Sequence, residues 1–335
     1  MVEFVFSPST NSPLSRLIEL SKLAEKYGFD HIWVTDTNPS PPSNETFMTL
    51  AIIAKETENI KIGVGICNPY TRHPAMIAKA VKTLYEIAGN RIMLGIGAGG
   101  MWALPPLDIE MWNKPIDTVR DAIDVIKRLL NGEIVSKKSH HFRVKDLKFN
   151  LDKPLDIPIW IGARRPRMLK LSGELATGVI LASSPKFILH AKKIIEKGLA
   201  LSKRKMSEFK IANWLPSSIS YNRDNAREIA KERVVYEILF HPEEDLVSLG
   251  FDIELVTQIR NYLQNGLLDK AISLVTQEMI DDLAIAGTPE DGVRIIKNFI
   301  NTGVTHVIFG RPFGENVKDA LRIIGEEIIP VFKNQ

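Results

Sequence analysis

Along this chain, short apolar runs alternate with stretches in which apolar residues return every three or four positions. The runs at 2–7, 31–35, 60–66, 91–96, 157–161, 178–181, 209–219 and 306–309 read as strands. The periodic stretches predict helices over 14–27, 44–58, 74–87, 117–130, 166–175, 185–201, 224–239, 288–301 and 316–329. In the first of these, Leu14, Leu17, Ile18, Leu20, Leu23 and Ala24 share one face, and Gly28 suits the left-handed residue that closes a helix. Pro74 falls in a first turn, where its missing N–H costs nothing. Thr288, Pro289 and Asp291 fit the N-cap, N1 and N3 positions of the helix that follows them.

Eight β–α steps result, the stretch from 210 to 302 counting as one elaborated unit. The third to fifth strands are nearly continuous apolar runs, as in parallel strands covered on both faces. Eight such steps predict the α/β class and a (β/α)8 TIM barrel with insertions, as one domain over 1–335. Two stretches interrupt the alternation. Residues 131–156 are polar apart from Phe142, Val144, Leu147 and Phe149, and read as an inserted hairpin or extended loop. Residues 241–280 hold helical pieces and no clear strand, and read as a cap over the barrel mouth or a subunit contact. A doubly wound open sheet is the alternative, but no G-x-G-x-x-G follows the first strand.

Composition narrows the function classes. Of 335 residues, 44% are apolar, enough for a packed core and against wholesale disorder. Forty-three Lys and Arg against 40 Asp and Glu leave a formal charge of +3, too even to call for a nucleic-acid or membrane partner. The one cysteine, Cys67, excludes an internal disulfide framework and a cysteine-based zinc cluster, and suits a reducing compartment. No apolar stretch approaches the ~20 residues of a bilayer span, and the first residues lack a signal-peptide pattern, so a cytoplasmic location is expected. The seven histidines show no metal-binding spacing, and no metal is expected. There is no G-x-S-x-G elbow and no carboxylate pair placed for glycoside hydrolysis.

A barrel of this kind carries its site at the C-terminal ends of the strands. The residues there include Ser7 and Pro8; Asp36, Thr37 and Asn38; Cys67 to Tyr70; Gly97 to Gly100; Gly162 to Arg165; Ser183; and Trp214. Asp36 can serve as acid, base or acceptor for a polar ligand, or simply end its strand as an Asx turn. Cys67, with no His–Asn arrangement pointing to it, fits a small packed residue better than a nucleophile. The glycines from Gly95 to Gly100 allow close backbone approach, such as a planar ring lying on the main chain. Arg164, Arg165 and Arg167, set in a Gly162–Ala163 turn at a helix start, suit a phosphate or carboxylate, or form a solvated basic loop.

These stretches resemble the bacterial-luciferase-like superfamily, and within it the coenzyme F420 (deazaflavin)-dependent reductases of the methylenetetrahydromethanopterin reductase type. Leu23-Ala24-Glu25-Lys26-Tyr27-Gly28-Phe29-Asp30 with Ile32-Trp33-Val34-Thr35-Asp36, and Asn68-Pro69-Tyr70-Thr71-Arg72-His73-Pro74-Ala75, carry the likeness. So do 89–99, 158–164 with 168–169 and 173–178, and Gly287-Thr288-Pro289-Glu290, all in the family's order over nearly the whole chain. The resemblance implies a TIM barrel that binds the deazaflavin at its C-terminal face and transfers a hydride to or from a small substrate, foremost a C1-carrying pterin. It implies a bulge with a non-prolyl cis peptide at Gly65, Ile66 and Cys67, with Asn68, Gly97 and Ala98 also near the ring. Phosphate contacts would fall on Gly162, Ala163, Arg164, Arg165 and Arg167, and Asp36 matches the family's strand-two acid. A homodimer or homotetramer is implied as well. Three positions depart from the pattern. Ser7 stands where pterin reductases carry a glutamate, Thr37 where many relatives carry His, and Gly100 and Met101 where an acid follows the glycines. The general acid for a pterin nitrogen is therefore not visible in the motifs. The rival readings are an FMN-dependent monooxygenase and a cofactor-binding barrel that has lost catalysis.

Overall fold

The computed structural model describes residues 2–36, 43–99, 104, 107–110 and 114–333. Thr37, Asn38, Gly100 and Met101 lie outside the described residues.

The first half of the chain runs β1 (Glu3–Phe6), α1 (Leu14–Lys26), β2 (His31–Val34), α2 (Thr46–Glu56), β3 (Lys61–Cys67), α3 (Pro74–Ala88), β4 (Ile92–Ile96) and α4 (Pro115–Leu130). A hairpin, β5 (Val135–Lys138) with β6 (Arg143–Leu147), precedes β7 (Ile159–Gly162), α5 (Pro166–Leu175), β8 (Gly178–Leu181), α6 (Pro185–Leu201) and β9 (Lys210–Ile219). Then come five helices, α7 (Arg223–Phe240), α8 (Glu243–Leu249), α9 (Ile253–Gln264), α10 (Leu268–Ser273) and α11 (Gln277–Leu283). The chain closes with β10 (Ile285–Gly287), α12 (Pro289–Asn301), β11 (His306–Phe313), α13 (Val317–Ile323), a π-helical turn (Ile324–Ile328) and α14 (Ile329–Lys333).

Eight parallel strands, β1-β2-β3-β4-β7-β8-β9-β11, close on themselves through β11 against β1 and β8 against β9. This is a (β/α)8 TIM barrel. Among the described residues, strand β10 pairs only with the far end of β9, Ile285 opposite Ser217 and Gly287 opposite Ile219, and stays outside the ring. Helix ends follow local chemistry. Thr288 caps α12 in a reciprocal box with Asp291, and Pro occupies the first turns of α3, α4, α5, α6 and α12.

Alternation along each strand sends one set of residues into the barrel and the other against the helices. The interior is a column of Val5, Trp33, Met93, Trp160, Ile180, Ala212 and Ile308. Its N-terminal end is closed by polar residues that begin strands. His31 Nε2 lies 2.6 Å from Glu3 Oε2, Lys61 bonds the same oxygen at 2.8 Å, and His306 Nε2 stands 3.8 Å from Glu3 Oε1. The Trp33 indole N–H points at His31 Nδ1 at 3.4 Å, which leaves the ring proton on Nε2 facing the carboxylate. That arrangement is a hydrogen-bonded plug. A second, smaller core lies among α7 to α11, with Val234, Ile238, Leu246, Val256, Ile259 and Met279 fully covered. No described helix is long and apolar enough to cross a membrane.

Candidate active site

The wide end of the barrel is shaped by an irregularity in β3. Its register with β4 slips between Val64 and Cys67, and the Gly65–Ile66 peptide is cis, at the positions the resemblance marked for one. After the slip, Ile66 packs against the interior column, partly exposed, instead of facing the helices. Three glycines on the next two strands make room for it. A Cβ on Gly95 would fall 2.9 Å from Ile66 Cγ2, one on Gly97 2.4 Å from Cδ1, and one on Gly162 2.8 Å from Cδ1. The glycines at 95 and 97 thus seat the Ile66 side chain, which fills the Cβ side of Gly97. On the opposite side Trp214 lies against Gly65 and Gly310, also partly exposed. Ile66 and Trp214 together form an apolar floor across the mouth.

Around this floor the expected residues take different places. Ser7 follows β1 directly, is buried, and its Oγ has no hydrogen-bond partner among the described residues. Cys67 points away from the mouth into the helix–sheet layer, its Sγ 3.4 Å from the Gly95 carbonyl. Burial, with the charge of Asp36 behind it, pushes the thiol well above its ordinary range, which fits a packed residue rather than a nucleophile. Asn68 organises its own turn: Oδ1 accepts from the backbone N–H groups of Tyr70 and Thr71 at 3.1 and 3.0 Å. Gly99 closes over Asn68 with φ +75°. Ala98 is partly exposed beside them, and Ala163 is buried with its N–H on the Ile180 carbonyl.

Asp36 is not free. Arg72 grips it twice, Nε to Oδ2 at 2.7 Å and NH2 to Oδ1 at 2.9 Å, and also reaches Glu45 at 2.6 Å. The carboxylate is 5% exposed, and this partner raises the Arg72 guanidinium further above its ordinary value. Arg72 was hidden within the Asn68–Ala75 motif, because nothing in linear order marks a partner thirty-six residues away. The same turn anchors the hairpin. His73 Nε2 lies 3.1 Å from the Arg143 carbonyl, and Tyr70 packs edge-on to His141.

The arginines of the β7–α5 turn divide. Arg165 and Arg167 are exposed at the start of α5, where free backbone N–H groups and the helix dipole favour an anion. Arg164 turns inward to Glu237 on the last turn of α7, NH2 to Oε2 at 3.5 Å. Glu237 and its neighbour His241 were not singled out from the sequence. Burial raises the Glu237 carboxyl above its usual range and lowers His241 to about 4.

Comparison with known proteins agrees with this geometry. The luciferase-like monooxygenase family matches residues 2–306. The 5,10-methylenetetrahydromethanopterin reductase of Archaeoglobus fulgidus is 37% identical over 93% of this chain and 94% of its own. An F420-dependent glucose-6-phosphate dehydrogenase of Microbacterium testaceum is 27% identical over 94% of this chain and 93% of its own. The solved structure of the coenzyme F420-dependent tetrahydromethanopterin reductase of Methanopyrus kandleri superposes with a TM-score of 0.93, at 31% identity, covering 99% of both chains. With its closed barrel, its altered third strand and a match over nine-tenths of its length, the chain belongs to the luciferase-like monooxygenase family.

Proposed function

We propose that this protein is a coenzyme F420-dependent oxidoreductase that reduces the one-carbon bridge of methylenetetrahydromethanopterin. The observation that carries the reading is the mouth itself, in a chain so similar to pterin reductases along its whole length. Its floor is apolar and broad, made by Ile66 and Trp214, and is bordered by the exposed arginines of a helix start. That combination suits a flat ring with an anionic tail. The buried Ser7 hydroxyl, with no partner among the described residues, is a polar atom that a ligand would satisfy. The bound reduced deazaflavin would supply a hydride. The protein's part is to hold the ring against Ile66 and Trp214, keep water from that face, and fix the tail through Arg165 and Arg167. The glucose-6-phosphate dehydrogenase relative is less similar, and this supports F420 more broadly than it supports any one substrate.

The test is a titration followed by a turnover assay. Visible absorbance should report saturable binding of F420 and none of FMN at the same concentrations. Reduced F420 should then be oxidised with methylenetetrahydromethanopterin and not with a sugar phosphate in the reverse assay. Tight binding of FMN with no binding of F420 would overturn the reading in favour of a flavin monooxygenase.

A further inference from the structure

Opening a methylene bridge between two nitrogens takes a proton as well as a hydride. One C–N bond breaks, its electron pair goes to the departing nitrogen, and the carbon gains the hydride to become a methyl group. Without a proton that nitrogen is a poor leaving group, so a positioned acid lowers the barrier. Ser7, just past β1, offers only a buried alcohol hydroxyl, a far weaker acid than a carboxyl. Asp36, just past β2, has both carboxyl oxygens engaged by hydrogen bonds from Arg72.

We propose that Glu237, on the last turn of α7 beside Arg164 of the β7–α5 turn, is the acid that protonates this nitrogen, an inference that rests on the pterin-reductase reading above. Its Oε2 is enclosed and has no hydrogen-bond partner among the described residues. Covering that oxygen disfavours the charged form and raises the carboxyl above its usual range, against the pull of Arg164. The side chain as a whole is 22% exposed, so part of it meets solvent while Oε2 is covered. Arg164 follows Gly162 and Ala163 directly, and Gly162 touches the Ile66 side chain of the floor. The acid's partner therefore belongs to the turn that leaves the strand end bordering the proposed ring site.

The surrounding charges suit a donor that must also recover. From the β7–α5 turn, Arg164 stands 3.5 Å from Oε2. From α7 itself, Arg233 adds a second positive charge, and His241 Nδ1 lies 3.7 Å from Oε2 while bonding the Glu237 carbonyl at 2.7 Å. From α9, Arg260 binds the carbonyls of Ile238 and His241 at 3.1 and 2.7 Å. From α8, Asp245 lies in the same Arg164 field, its carboxyl also raised by burial. Burial favours the protonated acid, while Arg164 and Arg233 limit the rise and would stabilise the carboxylate left after transfer. Solvent on the open side returns the proton.

The experiment uses the full chain and three variants, E237Q, E237D and R164A. In the protein without cofactor near neutral pH, the infrared carbonyl band of a protonated carboxyl should be present and should disappear in E237Q. F420 affinity of E237Q should stay within about twofold of the parent. Single-turnover reduction of methylenetetrahydromethanopterin should fall about 100-fold or more, the usual weight of a general acid. The parent rate should decline as pH rises through the Glu237 titration. E237Q should lose that limb, E237D should keep it at an intermediate rate, and R164A should move it to higher pH because a nearby cation is gone. A merely structural Glu237 would tolerate the isosteric amide. Turnover of E237Q within about threefold of the parent, or a carbonyl band unchanged by the substitution, overturns the proposal. A parent protein that binds F420 yet leaves the pterin unreduced overturns the function reading first, and the acid's role with it.

Discussion

Ile66 Cδ1 occupies the ground that a side chain on Gly97 would need, 2.4 Å from where its Cβ would begin. The shape of the mouth floor therefore depends on a missing methyl group one strand away. Replacing Gly97 by Ala should displace Ile66 at a cost of about 1–3 kcal/mol of strain. F420 affinity should drop about tenfold, and an Ile66→Val change, which deletes Cδ1, should restore most of it in the double variant. Equal affinities for the parent and G97A in the absorbance titration would separate Ile66 from ring binding.

The Asp36–Arg72 pair should behave as structure more than as chemistry. Truncating Arg72 to Ala leaves a carboxylate that is 5% exposed without its cation. Fully buried pairs lose about 3–5 kcal/mol on such truncation, and the partial exposure of Arg72 brings the expected loss to about 2 kcal/mol. Lysine should recover only part of it, because it cannot form the double hydrogen bond. Urea denaturation of R72A and R72K measures both, and a midpoint unchanged in R72A contradicts this role.

Cys67 should be silent to thiol reagents in the folded protein. It is fully covered, and burial holds the thiol in its neutral form. Ellman's reagent should release no colour from native protein and one equivalent after denaturation. Rapid stoichiometric labelling of the native chain would mean that the third strand opens.

The plug at the base of the barrel predicts acid sensitivity. Burial, reinforced by the neighbouring His31, lowers His306 to about 3 from its ordinary 6.5. The unfolded ring therefore takes up a proton that the folded one refuses. Its contribution is complete above pH 6.5 and is lost as pH falls towards 3. Glu3, lowered by its hydrogen bond from His31, adds to the loss below its ordinary 4.5. His306→Gln should be less stable near pH 7.5 but show a shallower decline below pH 6.5, by up to about 1.4 kcal/mol per pH unit. Parallel stability–pH curves for parent and variant would remove His306 as the cause.

The strands of the barrel were legible because each is an apolar run long enough to show its character, as Ile92–Ile96 and Ile159–Gly162 are. Strand β10 was not, since three residues carry no periodicity and its partner is the distal end of β9. The final helix reads as continuous, yet a π turn at Ile324–Ile328 divides it, which an apolar stripe does not reveal. At the site, the glycines and arginines announced themselves by type and spacing. What they touch did not: Ile66 fills the glycine face only because of the slip in β3, and Arg72 finds Asp36 only across the barrel rim. Glu237 looks like any charge on an amphipathic helix beside Glu228 and Glu232 until burial sets it apart.

Helix α7 belongs to two bodies at once. Its apolar side, with Val234 and Ile238, completes the small core of α7 to α11, while its last turn faces Arg164 at the barrel rim. Cooperative melting of that lesser core would carry Glu237 away while the eight-stranded ring stayed closed. Heat inactivation should then precede loss of the β-sheet signal, and resilience at high temperature would have to be engineered in the helical annex rather than in the barrel.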